Sequence, residues 1–593
     1  MTHALFRVLP ALDSLRRYRL ADLRGDVVAG LTVATVAVPQ AMAYGMVAGV
    51  PPQYGLYTAI VMTAVGAVLA SSKQLINGPT NVISIAVLSA LATLPAAYDK
   101  VQAAMVLALM VGTIQLGITF LRLGDLTRYI SHSVIVGFTL GAGTLLVLDQ
   151  VKNLLGLSAA SDPHAHFLVR FWSSITQGGG VHPQTAAVGL GTIGLVLLLR
   201  WMKARIGWTF FPDLLLTVVL SAWLTARLGL DEAGVRVIGE IPATLPTFQV
   251  PYLDYPLVQH LSGNAFAIAT LGLLEALAMA KSLASQTGEK LDLNQQCLSE
   301  GLANFAGGLF QCIPGSGSLT RSAINQQAGA ASQWSGVISA IAVALIVVAF
   351  SQYARFIPRA TLAGILMVSA WRMIDHHSLL YHLRATRFDA TVVWATAIAA
   401  VAVSVEFCVL IGVFCSFLLT VPRLGQMLLT EFVVTSDGTI HERMSEEPVC
   451  EKIRVYGLEG EMFFGSSGAM EQHFEAIEQA LGPGTEVLVL RVKRFRNPDA
   501  VGMHLLEDFI ARLHARGVQV LLCGIRPDFH EALYRTGAAK RLHADHLFPE
   551  RALRNSSTTE AVRFAYTLIS APCPACPRGD PLLRREGGLY YVV

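Results

Sequence analysis

Long apolar runs separated by short polar breaks fill residues 25–430, whereas residues 431–593 show the shorter alternation of a soluble domain. Runs of roughly 20 apolar residues match a hydrocarbon core roughly 30 Å thick. Fourteen such segments are expected, at 26–48, 54–71, 78–95, 101–121, 131–149, 186–201, 212–230, 264–284, 297–312, 318–331, 334–353, 358–374, 388–404 and 406–428. An even number of crossings puts both termini on one side. With the N-terminus inside, basic residues crowd the inner loops, as in Arg16, Arg17, Arg19 and Arg24 and again in Arg200, Lys203 and Arg205. That asymmetry is what the positive-inside rule demands. The expected plan is a cytoplasmic N-terminal segment (1–24), a transmembrane domain (25–430), a linker (431–446), a folded cytoplasmic domain (447–570) and a C-terminal tail (571–593).

Internal symmetry narrows the reading. Pro39-Gln40-Ala41-Met42-Ala43-Tyr44 in segment 1 is matched by Leu274-Glu275-Ala276-Leu277-Ala278-Met279 in segment 8. Asn77-Gly78-Pro79-Thr80-Asn81 at the start of segment 3 is matched by Ser316-Gly317-Ser318-Leu319-Thr320 at the start of segment 10. Both pairs lie seven segments apart at nearly one sequence offset. An odd number of spans per repeat inverts the second copy through the membrane, as is common in secondary transporters.

Segments 3 and 10 are short and follow Gly- and Pro-rich stretches. A helix that starts inside the membrane has first amides without intrahelical partners. Two such N-termini facing each other offer N–H donors and positive dipole ends, an anion site made from backbone. Ser316, Ser318, Thr320 and Ser322 add hydroxyls around Leu319, and Arg321 adds a full charge. An arginine there is either functional or a snorkelling residue at a helix end. Glu275 falls near the centre of segment 8, where a carboxylate can take up and release a proton as its surroundings change. Its structural alternative is an ion pair with Arg321 or Lys281. Gln40, the pseudo-symmetric counterpart of Glu275, is a neutral group able to contact an oxyanion, and Tyr44 stands one turn later on the same face. Asp149, Glu300, Glu406 and His132 fall near segment ends and are read as solvated.

Composition supports the pattern: 53% of the 593 residues are hydrophobic and 14% charged, against about 25% charged in soluble proteins. Mean hydropathy is +0.52. A net charge of +3 is too small to imply a nucleic-acid partner. The first 24 residues are basic and amphipathic, without the apolar core of a cleavable signal. The eight cysteines form no disulfide framework. Cys573 and Cys576 make a single CxxC, half a zinc site at best, so no metal is expected. No metal triad, nucleophile elbow or Walker motif is present, so neither an enzyme nor a cofactor is expected.

These residues carry a family resemblance. Ala37-Val38-Pro39-Gln40-Ala41-Met42-Ala43-Tyr44 is followed by Val50-Pro51-Pro52-Gln53-Tyr54-Gly55-Leu56-Tyr57, then by Leu293-Asn294-Gln295-Gln296, Gly301-Leu302-Ala303-Asn304 and Pro314-Gly315-Ser316-Gly317-Ser318-Leu319-Thr320-Arg321-Ser322-Ala323-Ile324-Asn325. Over nearly its whole length the chain resembles a bacterial member of the sulfate permease (SulP) family of anion transporters. The resemblance implies an α-helical polytopic protein with a seven-plus-seven inverted repeat of the uracil-permease type. It also implies core and gate domains working by alternating access, a C-terminal α/β STAS domain, and commonly a homodimer. By the same resemblance Gln40, Tyr44, Thr80, Asn81, Thr320 and Arg321 line the anion site, with Ser318 and Leu319 at the same helix start.

Members of that family transport sulfate, bicarbonate, chloride or dicarboxylates. Symporting members tend to keep an acid on segment 8, so Glu275 favours symport. Sodium-coupled bicarbonate members carry a hydroxyl residue one turn later, where this chain has Met279, and a thioether is a poor ligand for a hard cation. The expected function is proton-coupled uptake of a small anion, sulfate foremost, across the inner membrane. Sodium-coupled bicarbonate symport, C4-dicarboxylate transport, and anion exchange or conduction on the same scaffold are the alternatives.

In the tail, Lys452–Tyr456 and Glu461–Phe464 read as strands, Ser467–Leu481 as a helix, Glu486–Arg491 as a strand, Val501–Arg516 as a helix and Val518–Cys523 as a strand. The alternation suits a small parallel-type sheet and resembles the STAS fold. In anti-sigma-factor antagonists of that fold, the loop after the central strand carries a phosphorylated serine. The corresponding Asp499-Ala500-Val501-Gly502 has no hydroxyl at its central positions, which leaves binding of a cytoplasmic partner or scaffolding.

Overall fold

The computed structural model describes residues 10–15, 18–95, 97–122, 131–157, 167–206, 211–434, 439–444, 447–550, 556–571 and 590–591. It divides into two compact units, Met1–Ser416 and Phe417–Val593. Cys573 and Cys576 lie outside the described residues.

The first unit, with the end of the last helix running past Ser416, is built from helices that answer the fourteen segments one for one. They are α1 (Leu20–Val47), α2 (Pro52–Leu69), α3 (Asn81–Ala92), α4 (Lys100–Phe120), α5 (His132–Leu155), α6 (Pro183–Ile206), α7 (Asp213–Leu228), α8 (Tyr255–Thr287), α9 (Leu293–Leu309), α10 (Leu319–Gln327), α11 (Trp334–Phe350), α12 (Arg359–Met373), α13 (Arg387–Ala402) and α14 (Val405–Leu424). Among the described residues, eight helices are long and apolar enough to cross a membrane by length and composition. The shortest are α3 and α10, with 12 and 9 residues. Their spans were expected at 78–95 and 318–331; the helices run over Asn81–Ala92 and Leu319–Gln327, and each is preceded by a two-residue strand, β1 (Asn77–Gly78) and β2 (Ser316–Gly317). At the other extreme α8 runs to 33 residues. Short helices at Phe167–Thr176 and His376–Ala385 join the spans without being apolar enough to register in the sequence.

The packing repeats with the symmetry of the sequence. α1 lies on α11 as α8 lies on α4, and α5 lies on α13 as α12 lies on α6. Between lipid-embedded helices no hydrophobic force remains, so close van der Waals approach must hold them. Glycine permits it at the α4–α9 contact: a Cβ on Gly112 would sit 2.3 Å from the Phe305 amide nitrogen, and one on Gly308 2.7 Å from that of Leu109. Large apolar side chains point outward instead, among them Leu197, Trp201, Val219 and Trp223 on α6 and α7. So much exposed apolar surface is tolerable in lipid and not in water.

The second unit is a seven-stranded sheet in the order β8-β7-β6-β5-β3-β4-β9. Its strands are β3 (Leu428–Val434), β4 (Thr439–Glu442), β5 (Ile453–Glu461), β6 (Val487–Arg496), β7 (Gln519–Ile525), β8 (Leu547–Pro549) and β9 (Tyr590–Tyr591). β5 through β8 pair in parallel, and β3 joins them antiparallel. Helices α15 (Ser467–Ala480), α16 (Ala500–Ala515), α17 (Pro527–Thr536) and α18 (Ser556–Leu568) follow the strands. One sheet face buries Leu488, Leu490 and Leu522 against α15 and α16, where Phe474 and Phe509 stack at 4.2 Å. The other face sets Val487, Val489 and Leu521 against Ala561, Val562 and Ala565 of α18.

Two expectations for this unit change. Glu461–Phe464 is not a second strand: β5 runs on from Ile453 to Glu461 with a bulge at Gly457–Glu459, and Phe464–Ser466 turns into a 3-10 helix. The stretch read as a linker, 431–446, holds most of β3 and all of β4. Only Gly425, Gln426 and Met427 separate α14 from the Leu428–Val434 strand, so the last segment, expected at 406–428, ran up to it and hid the boundary.

Candidate functional site

The inverted repeat crosses itself at β1 and β2. They pair antiparallel, Asn77 with Gly317 and Gly78 with Ser316, and the Ser318 amide donates to Ile76 O at 2.8 Å. Ser322 Oγ accepts from the Ile76 amide at 2.8 Å, and Thr63 Oγ1 donates to Asn77 O at 2.6 Å. Gly315 packs so close that a Cβ on it would stand 2.5 Å from Gly78 O. This crossing fixes where α3 and α10 begin.

Each half-helix carries its own hydroxyl cap. Thr80 Oγ1 accepts from the Ile83 amide and Ser318 Oγ from the Arg321 amide, each at 3.5 Å. Ser84 N and Ser322 N bond back to the carbonyls of Thr80 and Ser318 at 3.0 Å. The amides of Asn81, Val82, Leu319 and Thr320 are then the first-turn donors that a helix leaves unused. They carry the positive ends of both dipoles.

Arg321 lies wholly buried in the first turn of α10, and its Nη2 donates to Pro79 O at 2.9 Å, across the crossing. Nε and Nη1 have no hydrogen-bond partner among the described residues. Gly78, at φ 143°, makes room for it: a Cβ there would lie 3.0 Å from both Nη1 and Nη2. A snorkelling arginine would reach for solvent; this one does not. Glu275 faces the other half-helix, where Oε2 accepts from Thr80 Oγ1 at 3.1 Å. No ion pair within 4 Å joins Glu275 to Arg321 among the described residues; its hydrogen-bond partner is Thr80.

A cavity of about 70 Å³ opens beside these groups, lined by Tyr44, Thr80, Asn81, Glu275, Ser318, Leu319 and Thr320. A single water needs roughly 10–15 Å³ by this measure, so a small oxyanion fits. Seven of the nine residues singled out by sequence thus share one wall. Gln40 and Arg321 are 1% and 0% exposed and contribute nothing to that wall. Both amide atoms of Gln40 lack a partner among the described residues. The opposite wall was not foreseen: Phe138 and Thr139 of α5, and Ser369 and Met373 of α12. Apolar residues and single hydroxyls inside apolar spans carry no distinguishing mark in a sequence.

Glu300 corrects the reading of solvated acids at segment ends. It is 0% exposed, because α9 begins at Leu293 and places Glu300 two turns inside it. Its signal was in the sequence, since Gln296, Glu300 and Asn304 recur every fourth residue on one helical face. Asp149 is paired with Lys152 at 2.8 Å. His132 is exposed, beside the His382 ring at 5.1 Å.

Known proteins share this chain's family and fold. The sulfate permease family matches residues 23–396, and the STAS domain matches residues 446–552. Sulfate transporter 4.1, chloroplastic, of Arabidopsis thaliana is 27% identical over 560 residues, covering 91% of this chain and 81% of that protein. The structure of the murine Slc26a9 anion transporter in the inward-facing state superposes with a TM-score of 0.83 at 21% identity, over 96% of this chain and 95% of that one. The transmembrane domain of the cyanobacterium bicarbonate transporter BicA gives a TM-score of 0.57 at 25% identity, over 67% of this chain and 98% of that one. A multi-pass, seven-plus-seven membrane unit with two broken helices at its centre, followed by a STAS domain, is what this chain folds into, and it belongs to the sulfate permease family.

Proposed function

We propose that this chain is a proton-coupled sulfate uptake carrier of the cell (inner) membrane, with both termini cytoplasmic, working as a homodimer. The anion sits between the N-termini of α3 and α10, and Gln40, Tyr44, Thr80, Asn81, Ser318, Leu319, Thr320 and Arg321 form or support its site. One observation carries this reading. Neighbouring residues of a single turn tie the fixed cation and the carboxylate together: Pro79 O accepts from the Arg321 guanidinium and Thr80 Oγ1 donates a hydrogen bond to Glu275.

The electrostatics then couple the two ligands. Two like unit charges about 5 Å apart repel by roughly 3 kcal/mol at an effective dielectric of about 20. An ionised Glu275 therefore opposes anion binding, and a proton on it relieves the opposition. By linkage, the bound anion favours the proton equally. Cavity walls from α5 and α12 on one side and α3, α8 and α10 on the other suit alternating access, with α1–α4 and α8–α11 moving against α5–α7 and α12–α14.

Sodium-coupled bicarbonate symport is the second reading, favoured by the likeness to BicA. Met279 lines the cavity and offers a sodium ion only a thioether. Proteoliposomes given labelled sulfate, bicarbonate, chloride and a C4-dicarboxylate, each with a pH or a sodium gradient, separate the readings. Sulfate accumulation on the pH gradient alone is expected. Accumulation that needs sodium, or of bicarbonate in place of sulfate, transfers the case to the second reading.

A further inference from the structure

We infer that Glu300 is a second proton-binding site of the transport cycle, so that each sulfate enters with two protons, one on Glu275 and one on Glu300. The inference rests on the proton-coupled reading above and deepens it.

Glu300 lies in the middle of α9, fully buried in the membrane unit. Gln296 Nε2 donates to its Oε1 at 3.2 Å, while Oε2 has no hydrogen-bond partner among the described residues. A buried carboxylate with one oxygen unsatisfied is costly to hold as a fixed anion and is no structural ion pair. Among the described residues no cation pairs with it. α2, packed on α9, has no charged residue, and α4 has only Lys100, at its first position. α8 brings Glu275, with His260 and Lys281 nearer its two ends, and β1 brings Asn77. Asn304, on the face of Glu300, is committed to Gln115 and Gly315.

The position relative to the anion site matters most. Asn77 and Thr80 belong to one short stretch, β1 and the cap of α3. Asn77 neighbours Glu300 without a hydrogen bond to it, and Thr80 donates to Glu275, so the two carboxylates flank the strand that fixes the half-helix. A polar string leads from Glu300 outward: Gln296 Oε1 accepts from the Ser72 amide at 3.2 Å, Ser72 Oγ donates to Glu289 at 3.0 Å, and the amide of exposed Lys73 also donates to Glu289 at 3.4 Å. Glu300 thus has both a neighbour in the site and a connection to the aqueous loop between α2 and α3.

Charge balance gives the pairing its purpose. Sulfate carries two negative charges. One proton on Glu275 leaves one negative charge to be moved inward against an inside-negative potential. Two protons, one on each carboxylate, leave none, and both are released with the anion inside.

The test is the accumulation ratio at static head in sulfate-loaded proteoliposomes. Each coupled proton adds a factor of ten per pH unit. At zero membrane potential, the wild type is expected to approach about 100-fold per pH unit, and Glu300→Gln about tenfold. A 100 mV inside-negative potential should leave the wild-type ratio unchanged and lower that of Glu300→Gln about 50-fold. A wild-type limit of tenfold per pH unit overturns the inference without any variant, whether or not Glu300→Gln folds. A variant that still reaches 100-fold overturns it as well. Wild-type vesicles that accumulate no sulfate on a pH gradient overturn this inference and the proton-coupled reading together, whereas a tenfold wild-type limit leaves that reading standing.

Discussion

Replacing Arg321 with alanine tests the electrostatic argument most directly. The substitution removes a guanidinium that is 0% exposed and whose Nε and Nη1 have no protein partner among the described residues. For an anion about 5 Å away, the Coulomb term is roughly 3 kcal/mol per unit charge at an effective dielectric of about 20. A dianion therefore stands to lose some 3–6 kcal/mol, or about two to four powers of ten in Kd. The structural cost is separate. Pro79 O loses the donor at 2.9 Å, worth about 1–3 kcal/mol, while relief of a buried charge offsets part of the loss. Sulfate binding to the purified protein, by calorimetry or a bound-radiolabel assay, is read beside a thermal melt. Saturable binding should vanish from the accessible range in a protein that still melts cooperatively. Arg321→Lys, which keeps the charge but loses the planar fork, should fall between. A folded Arg321→Ala protein with a Kd within about threefold of wild type refutes the reasoning and reduces Arg321 to a strut under Pro79.

Further outcomes follow from the same geometry. Glu275→Gln should fold normally, since an amide oxygen can still accept from Thr80, and should lose sulfate accumulation on a pH gradient while keeping downhill exchange. A well-folded variant that still concentrates sulfate rules out Glu275 as a proton carrier. Gly78→Ala should weaken sulfate binding at least tenfold, because its Cβ would press on both Arg321 nitrogens at 3.0 Å, and should cost about 1–3 kcal/mol in backbone strain at φ 143°; an unchanged affinity contradicts the role given to this glycine. Truncation after Leu424 should leave anion affinity within about threefold of wild type, since every proposed ligand precedes residue 330, and complete loss of binding by a monodisperse truncation argues against this. In the STAS domain, Lys452 and Ser570 hold the Glu486 carboxyl down at about 2, below its ordinary 4.5. The folded value lies below the unfolded one, so this contribution is present above about pH 4.5 and disappears as the pH falls toward 2. Glu486→Gln should flatten the acid-side fall of the domain's melting temperature over that window, and parallel curves for the two proteins contradict the assignment.

Much of this molecule is legible without coordinates, for identifiable reasons. Lipid demands about 20 apolar residues per crossing, so the spans are written in composition and all fourteen have a helix at the place the hydropathy marks. The inverted repeat is written in motifs, because Gly315 lets two backbones touch at the crossing, Gly78 makes room for the Arg321 guanidinium and Gly317 lets β2 approach Ala276 of α8. Charge inside an apolar run is rare enough to be noticed, which singles out Glu275 and Arg321. The same logic fails where a feature is short or ambiguous. β1 and β2 have two residues each, only three residues separate α14 from β3, and the polar first turn Leu293–Gln296 masks the early start of α9 that buries Glu300.

What the sequence alone determined is therefore the membrane class, the repeat and the residue types able to meet an anion. Only the tertiary structure decided which of them meet. It placed Tyr44, Thr80, Asn81, Glu275, Ser318, Leu319 and Thr320 around one cavity, turned the Arg321 guanidinium onto Pro79 O and set Gln40 behind the wall. It also put a second carboxylate on the far side of β1. Spacing along a helix specifies a face, but which faces converge depends on how α3 and α10 cross, and that is settled by packing between parts of the chain some 240 residues apart.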